Sequence, residues 1–250
     1  MTIRCEIESI DYLNQDTRRV ILRTPHHIEF HAGQYLEIVL PDRRCPFSIA
    51  SKPKDDNLIE LHIRPTGDSE DSDLIENLLD TERVVDIQLP LGECFVDTLP
   101  TGPLLLIAAS TGVTQMKSIV EHLHEVGFTH EIFLYWGVLK EEDIYLRSTC
   151  EAWSKTNSNF FFAPVISEPT LSPSWTGRTG LVGKVALDDL FVTPGSKYRK
   201  VSMDKFSVYI SGGPGMVYAT TDLFVEIGLP INNIYSDMFA LAPRSVLKTQ

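Results

Sequence analysis

The sharpest constraint on the fold lies at residues 104–109, where "LLLIAA" sets six apolar residues in a row and leads directly into "STGVTQMKSIVEHLHEVG". A strand without polar alternation has both faces covered, the condition of a parallel strand inside an α/β layer. In the segment that follows, Met116, Ile119, Val120 and Leu123 fall at i, i+3, i+4 and i+7, one face of a helix, and Gly127 supplies its stop. The unit of strand, loop and helix recurs. Strand "EIFLYWG" precedes a helix around "EEDIYLRSTCEAW", strand "NFFFAPVI" precedes the helical "GKVALDDLF", and strand "SVYISGG" precedes helix "GMVYATTDLFVEIG". This alternation predicts a parallel sheet with right-handed crossovers.

The first hundred residues follow another pattern. "CEIESI", "RRVILRT", "GQYLEIVLP", "CPFSIAS", "LIELHIR" and "RVVDIQLP" are short apolar runs separated by turn-like clusters, which predict an antiparallel barrel or sandwich. The alternation from Glu60 to Arg64 predicts a strand with one buried face. "EDSDLIENLLD" sets Leu74, Leu78 and Leu79 at helical spacing behind an acidic entry, as in a short capping helix. The chain therefore divides near Leu99 to Leu104 into residues 1–100 and 101–250, and 250 residues suffice for two cores. "SEPTLSPSWTGRTG" is the most loop-like interior stretch.

Charge narrows the partners. With 34 acidic against 22 basic residues the formal charge is −12, which argues against a nucleic-acid or anionic-membrane surface. The start "MTIRCEIESIDYL" has no apolar leader, and no stretch reaches 18 apolar residues, so the expected location is the cytoplasm. Cys5, Cys45, Cys94 and Cys150 form no CxxC pair, so neither zinc nor an iron–sulfur cluster is signalled, and small buried thiols are expected.

Ligands of parallel α/β domains settle beyond the carboxyl ends of the strands, and two loops there stand out. Ala109-Ser110-Thr111-Gly112-Val113-Thr114 puts small residues at a helix N-terminus, where unpaired N–H groups and the dipole suit phosphate; a plain cap at Thr114 is the alternative. Ser211-Gly212-Gly213-Pro214-Gly215-Met216 has three glycines for close backbone approach and a proline to start a helix; the alternative is an ordinary turn. Together they point to an extended phosphate-bearing ligand such as a dinucleotide.

The series "GQYL", "CPFSIAS", "LHIR", "LLLIAASTGVTQMKS", "YWG…IY", "WTGRTG", "YISGGPGM" and "YSDMFAL" resembles the ferredoxin-NADP reductase superfamily over nearly the whole chain. Within it, the chain is most similar to bacterial NAD(P)H:flavin oxidoreductases, including those associated with luciferase operons. The resemblance implies an N-terminal flavin-binding β-barrel, a C-terminal nucleotide-binding α/β domain, and a flavin (FAD, FMN or riboflavin) at the cleft between them, reduced by NADH or NADPH. It places Pro46, Phe47 and Ser48 against the isoalloxazine, with the Ser48 hydroxyl near N5 as the catalytic group. His62, Ile63 and Arg64 would present backbone groups to the pyrimidine edge, and His62 alternatively is a half-buried strand histidine. Ser110, Thr111 and Gly112 would take the nucleotide, Gly212, Pro214 and Met216 its nicotinamide side, and Phe239 the flavin; an ordinary final strand is the other reading of Phe239.

Three positions depart from the family pattern. Cys45 stands where an arginine usually meets the flavin phosphate, with Arg44 one residue earlier and on the opposite face. Ala109 and Ser110 replace two glycines, and Leu139 followed by Lys140 replaces the usual arginine handle for a 2'-phosphate, favouring NADH over NADPH. The expected function is NAD(P)H-dependent flavin reduction, with reduced flavin passed to ferric iron, oxygen or a flavin-dependent enzyme. The alternatives are an FAD-containing reductase serving a separate electron-acceptor protein, and a diverged paralogue without turnover.

Overall fold

In the computed structural model the described residues are 2–54, 56–67, 69–196, 198 and 203–244. Residues Met1–Asp97 together with Lys117–Val126 form one compact unit, and Thr98–Met116 with Gly127–Gln250 form the other.

The first unit contains β1 (Thr2–Tyr12), β2 (Arg18–Arg23), β3 (Tyr35–Val39), β4 (Arg44–Ser48), β5 (Leu58–Ile63), α1 (Glu70–Thr81) and β6 (Val84–Leu91). The strands form an antiparallel sheet in the order β4-β3-β6-β1-β2-β5, so β4 and β5 are its two edges. The sheet closes just past β4, where the Ala50 N–H donates to the Glu60 carbonyl at 2.7 Å. Pro46 lies opposite Glu37 on edge strand β4, where a missing N–H interrupts no second ladder. The core gathers Val20, Leu22, Leu36, Ile38, Ile59, Leu61 and Ile87, all buried. Helix α1 covers it with Ile75 and Leu79, while Leu74 is exposed, so the apolar face is shifted one residue from the expected Leu74 stripe. The acidic first turn of α1 suits the helix dipole and is also held by Arg43, 2.9 Å from Glu70 and 2.8 Å from Asp71.

One expectation fails at β5. Glu60 and His62, read as the solvent side of an alternating strand, are 9% and 4% exposed. Residues 59–63 are all buried, so β5 is covered on both sides, and Lys117 from later in the chain lies 3.5 Å from Glu60.

The second unit contains β7 (Leu104–Ala109), the start of α2 (Val113–Glu125), β8 (Ile132–Val138), α3 (Arg147–Thr156), β9 (Phe160–Ile166), β10 (Arg178–Thr179), α4 (Val182–Leu187), β11 (Ser207–Ser211), α5 (Pro214–Glu226), β12 (Ile234–Tyr235) and α6 (Met238–Leu241). The sheet is parallel in the order β10-β9-β8-β7-β11-β12. Residues 104–108 of β7 are fully buried, as the unbroken apolar run requires. The "EEDIYLRSTCEAW" segment divides into a 3-10 turn at Glu141–Asp143 and α3, and α4 runs on into a π turn at Asp188–Val192. Phe239 is not on a final strand: it lies in α6, its ring 5.7 Å from that of Tyr218. Among the described residues no helix is long and apolar enough to cross a membrane.

Candidate active site

On β4 the two-residue pleat sorts the side chains. Arg44 and Pro46 are exposed, Cys45 is buried in the core, and Phe47 and Ser48 are half-buried. Burial raises the Cys45 thiol, and the nearby Asp71 carboxylate adds to this, so it is a protonated core residue rather than a nucleophile. The Ser48 hydroxyl makes no hydrogen bond among the described residues, which leaves it available to a ligand. The Ala50–Glu60 hydrogen bond joins the chain just past β4 to β5 and keeps the two strands close together. The sequence-predicted residues of the first half are thus brought to one place, the facing edges of β4 and β5.

The His62 side chain is turned away from that place. Its Nε2 lies 2.7 Å from Glu60 Oε1. Burial lowers the His62 pKa and keeps the ring neutral, so Nε2 carries the proton and donates to the carboxylate. Burial alone would raise Glu60, but the His62 hydrogen bond, the Lys117 ammonium and Arg19 outweigh it and hold the carboxyl well below the usual range. Any contact of His62 with a ligand is therefore through the backbone. Ile63 points into the core, and Arg64 pairs with Asp16 at 2.8 Å.

Cations near these strands are neutralised. Arg43 faces Asp42, Glu70 and Asp71; Arg44 donates to Gln88 and lies 3.6 Å from Glu37. Arg18, Arg19 and Arg64 also have carboxylates within 3.3 Å. Residues 1–97 carry 20 Asp and Glu against 10 Lys and Arg, so most of the chain's −12 charge resides here.

The second unit offers the opposite chemistry. Ser110–Gly112 form a 3-10 turn between β7 and α2, and Ser110 has φ +51°, the region that favours glycine. The Trp136 indole donates to the Ser110 carbonyl at 2.8 Å and holds the turn. A Cβ on Gly112 would lie 2.3 Å from the Ser211 carbonyl oxygen, so the two glycine-bearing loops meet backbone to backbone. Beside them, a Cβ on Gly212 would strike Met216 Cε at 2.6 Å. Pro214 opens α5 at its first turn. Thr114 does not cap α2: it lies in the first turn, 2% exposed, with Oγ1 lacking a hydrogen-bond partner among the described residues. The turn stands at the N-terminus of α2, where backbone N–H groups and the helix dipole suit an anion such as the phosphate of a nucleotide. Neither the Thr114 orphan nor the Glu60–His62 pair is visible in the sequence pattern, because both depend on burial by distant segments.

Known proteins combine the same two halves. Residues 4–95 match the family described as the oxidoreductase FAD-binding domain, and residues 106–222 the oxidoreductase NAD-binding domain. An NAD(P)H-flavin reductase of Aliivibrio fischeri is 30% identical over 96% of this chain and 99% of that protein. The CDP-6-deoxy-L-threo-D-glycero-4-hexulose-3-dehydrase reductase of Yersinia pestis is also 30% identical, over 95% of this chain and 69% of the relative. Among solved structures, the ferredoxin reductase in carbazole 1,9a-dioxygenase superposes with TM-score 0.79 at 21% identity, covering 95% of this chain and 69% of that one. The Amycolatopsis cytochrome P450 reductase GcoB gives TM-score 0.79 at 26% identity with the same coverage.

Proposed function

The chain belongs to the ferredoxin reductase family of oxidoreductases, built of a FAD-binding and an NAD-binding domain, and on that premise we propose that it reduces a free flavin with NAD(P)H. The flavin is a substrate that arrives, is reduced and leaves. When both are bound, the nicotinamide supplies a hydride from C4 to flavin N5, and a solvent proton completes the reduced flavin.

The observation that carries the free-flavin reading is the charge around β4. Cys45 is buried where the family pattern has an arginine, and Arg43, Arg44 and Arg64 are each tied to carboxylates. A flavin phosphate finds no uncommitted guanidinium there, so retention rests on the ring alone, and a ring-held ligand exchanges. Phe47 excludes water from one side of that ring, and Ser48 directs its free hydroxyl at N5, where charge changes as hydride arrives. The Ser110–Gly112 and Gly212–Met216 loops hold the nucleotide, with its phosphates at the N-terminus of α2. Positioning, rather than an acid–base pair, supplies most of the rate.

A second reading, a reductase with resident FAD feeding a separate acceptor protein, is favoured by the similarity to the Yersinia pestis reductase. The visible spectrum after gel filtration separates the two. A colourless protein supports the free-flavin reading, and a yellow one retaining a stoichiometric flavin overturns it in favour of the second.

A further inference from the structure

The stretch Ile49–Ser51 follows Ser48 directly, yet it belongs to no strand, and its backbone groups are held from several directions. The Ile49 N–H donates to the Gln34 carbonyl at 3.0 Å and the Ala50 N–H to Glu60 at 2.7 Å. The two carbonyls that follow are taken by adjacent residues of α2: Lys117 Nζ donates to the Ala50 carbonyl at 3.2 Å, and Ser118 Oγ donates to the Ser51 carbonyl at 2.8 Å. The Ser51 hydroxyl in turn accepts the Glu60 N–H at 3.2 Å. All of these residues lie in the first compact unit.

A lysine is a costly way to hold a carbonyl. Lys117 is 8% exposed, and a buried ammonium loses several kcal/mol of hydration unless charge and hydrogen bonds replace it. Here Glu121 lies at 3.0 Å and Glu60 at 3.5 Å, Glu60 being shared with His62 and Arg19. With His62 neutral, two carboxylates balance two cations, so the cluster carries no net charge. Plain packing of a helix on a sheet needs none of this, whereas a directional donor aimed at one carbonyl does.

We propose that Lys117 and Ser118 are positioning residues that fix the Ser48–Ser51 segment and thereby set where the Ser48 hydroxyl meets the flavin, a role that rests on the flavin-reductase reading above. Lys117 itself touches neither reactant. Its ammonium is consumed by the Ala50 carbonyl and two carboxylates, so it acts through backbone placement and not as an acid. Misplacement of a reacting group by about 1 Å costs on the order of a hundredfold in rate, so a modest loosening of this clamp is visible in turnover.

The test measures kcat and KM for NADH and riboflavin, with the deuterium isotope effect from 4-deuterated NADH, in wild type, Lys117→Met, Lys117→Arg and Ser118→Ala. The expected result is a kcat lowered at least tenfold in Lys117→Met and severalfold in Ser118→Ala. KM for NADH stays within about twofold, the isotope effect rises as hydride transfer becomes limiting, and Lys117→Arg recovers part of the loss. If Lys117→Met fails to fold because Glu60 is left short of a counter-charge, the double variant Lys117→Met/Glu60→Gln and Ser118→Ala carry the same expectation. An active wild type whose folded variants turn over at full rate overturns this role alone. A wild type that reduces no flavin overturns the functional reading and the role with it.

Discussion

Replacing Gly112 with alanine tests whether the two loops of the second unit form one binding surface. The added Cβ would lie 2.3 Å from the Ser211 carbonyl oxygen, 2.7 Å from its carbonyl carbon and 3.2 Å from the Gly212 nitrogen. Ordinary contact begins near 3.4 Å, so the loops must separate by roughly 1 Å, and no side chain can rotate away because every atom struck is backbone. Overpacking of this size costs about 1–3 kcal/mol. For a chain of this length each kcal/mol moves Tm by about 2–4 °C, so a fall of several degrees is expected. The same separation spreads the nucleotide loops, and a displacement near 1 Å lowers kcat/KM for NADH by about a hundredfold. Circular-dichroism melting and steady-state kinetics at saturating flavin read the two effects. Gly213→Ala is the control for stability, since nothing lies within 4 Å of its Cβ position, and it should match wild type in Tm. A Gly112→Ala protein with wild-type Tm and kcat/KM would refute the reasoning.

Three further outcomes follow from the geometry. Ser48→Ala should lower kcat more than tenfold with an unchanged circular-dichroism spectrum, and unchanged turnover would remove Ser48 from the reaction. Ser110→Gly should raise stability by up to about 1 kcal/mol, because φ +51° costs a side-chain-bearing residue that much; a lowered Tm would show that the Ser110 side chain earns its place. At the carboxyl end of β8, Leu139 is exposed, Lys140 pairs with Glu142 and Arg147 with Glu141, each at 2.8 Å, and Arg178 pairs with Asp189. With its nearest cations committed, this edge should favour NADH over NADPH by about tenfold in kcat/KM, the equivalent of roughly 1.4 kcal/mol, and equal use of the two would contradict it.

The architecture was legible where burial imposes a simple period. The unbroken "LLLIAA" became a strand covered on both faces, and the short runs of the first hundred residues became an antiparallel sheet. Pro46 fits a strand because it lies on the edge strand β4, where its missing N–H is harmless. Periodicity failed where distant segments meet. Glu60 and His62 alternate with Leu61 and Ile63 as a solvent-facing row would, yet both are buried, and Lys117 of α2, more than fifty residues later, reaches Glu60 there. Helix α2 showed its apolar stripe at Met116, Ile119, Val120 and Leu123, yet the same helix buries Gln115, Lys117 and Ser118, which no apolar pattern records. The loops of the candidate site were found from their glycines, but the strained Ser110 and the orphaned Thr114 hydroxyl required coordinates.

The most direct test of the account is anaerobic mixing of catalytic amounts of the purified protein with NADH and excess riboflavin, following absorbance at the nicotinamide and flavin bands together. Both bands should bleach in one-to-one proportion over many turnovers per protein molecule, and without added flavin the nicotinamide band should stay constant. Steady NADH in the presence of riboflavin, FMN and FAD alike would contradict it.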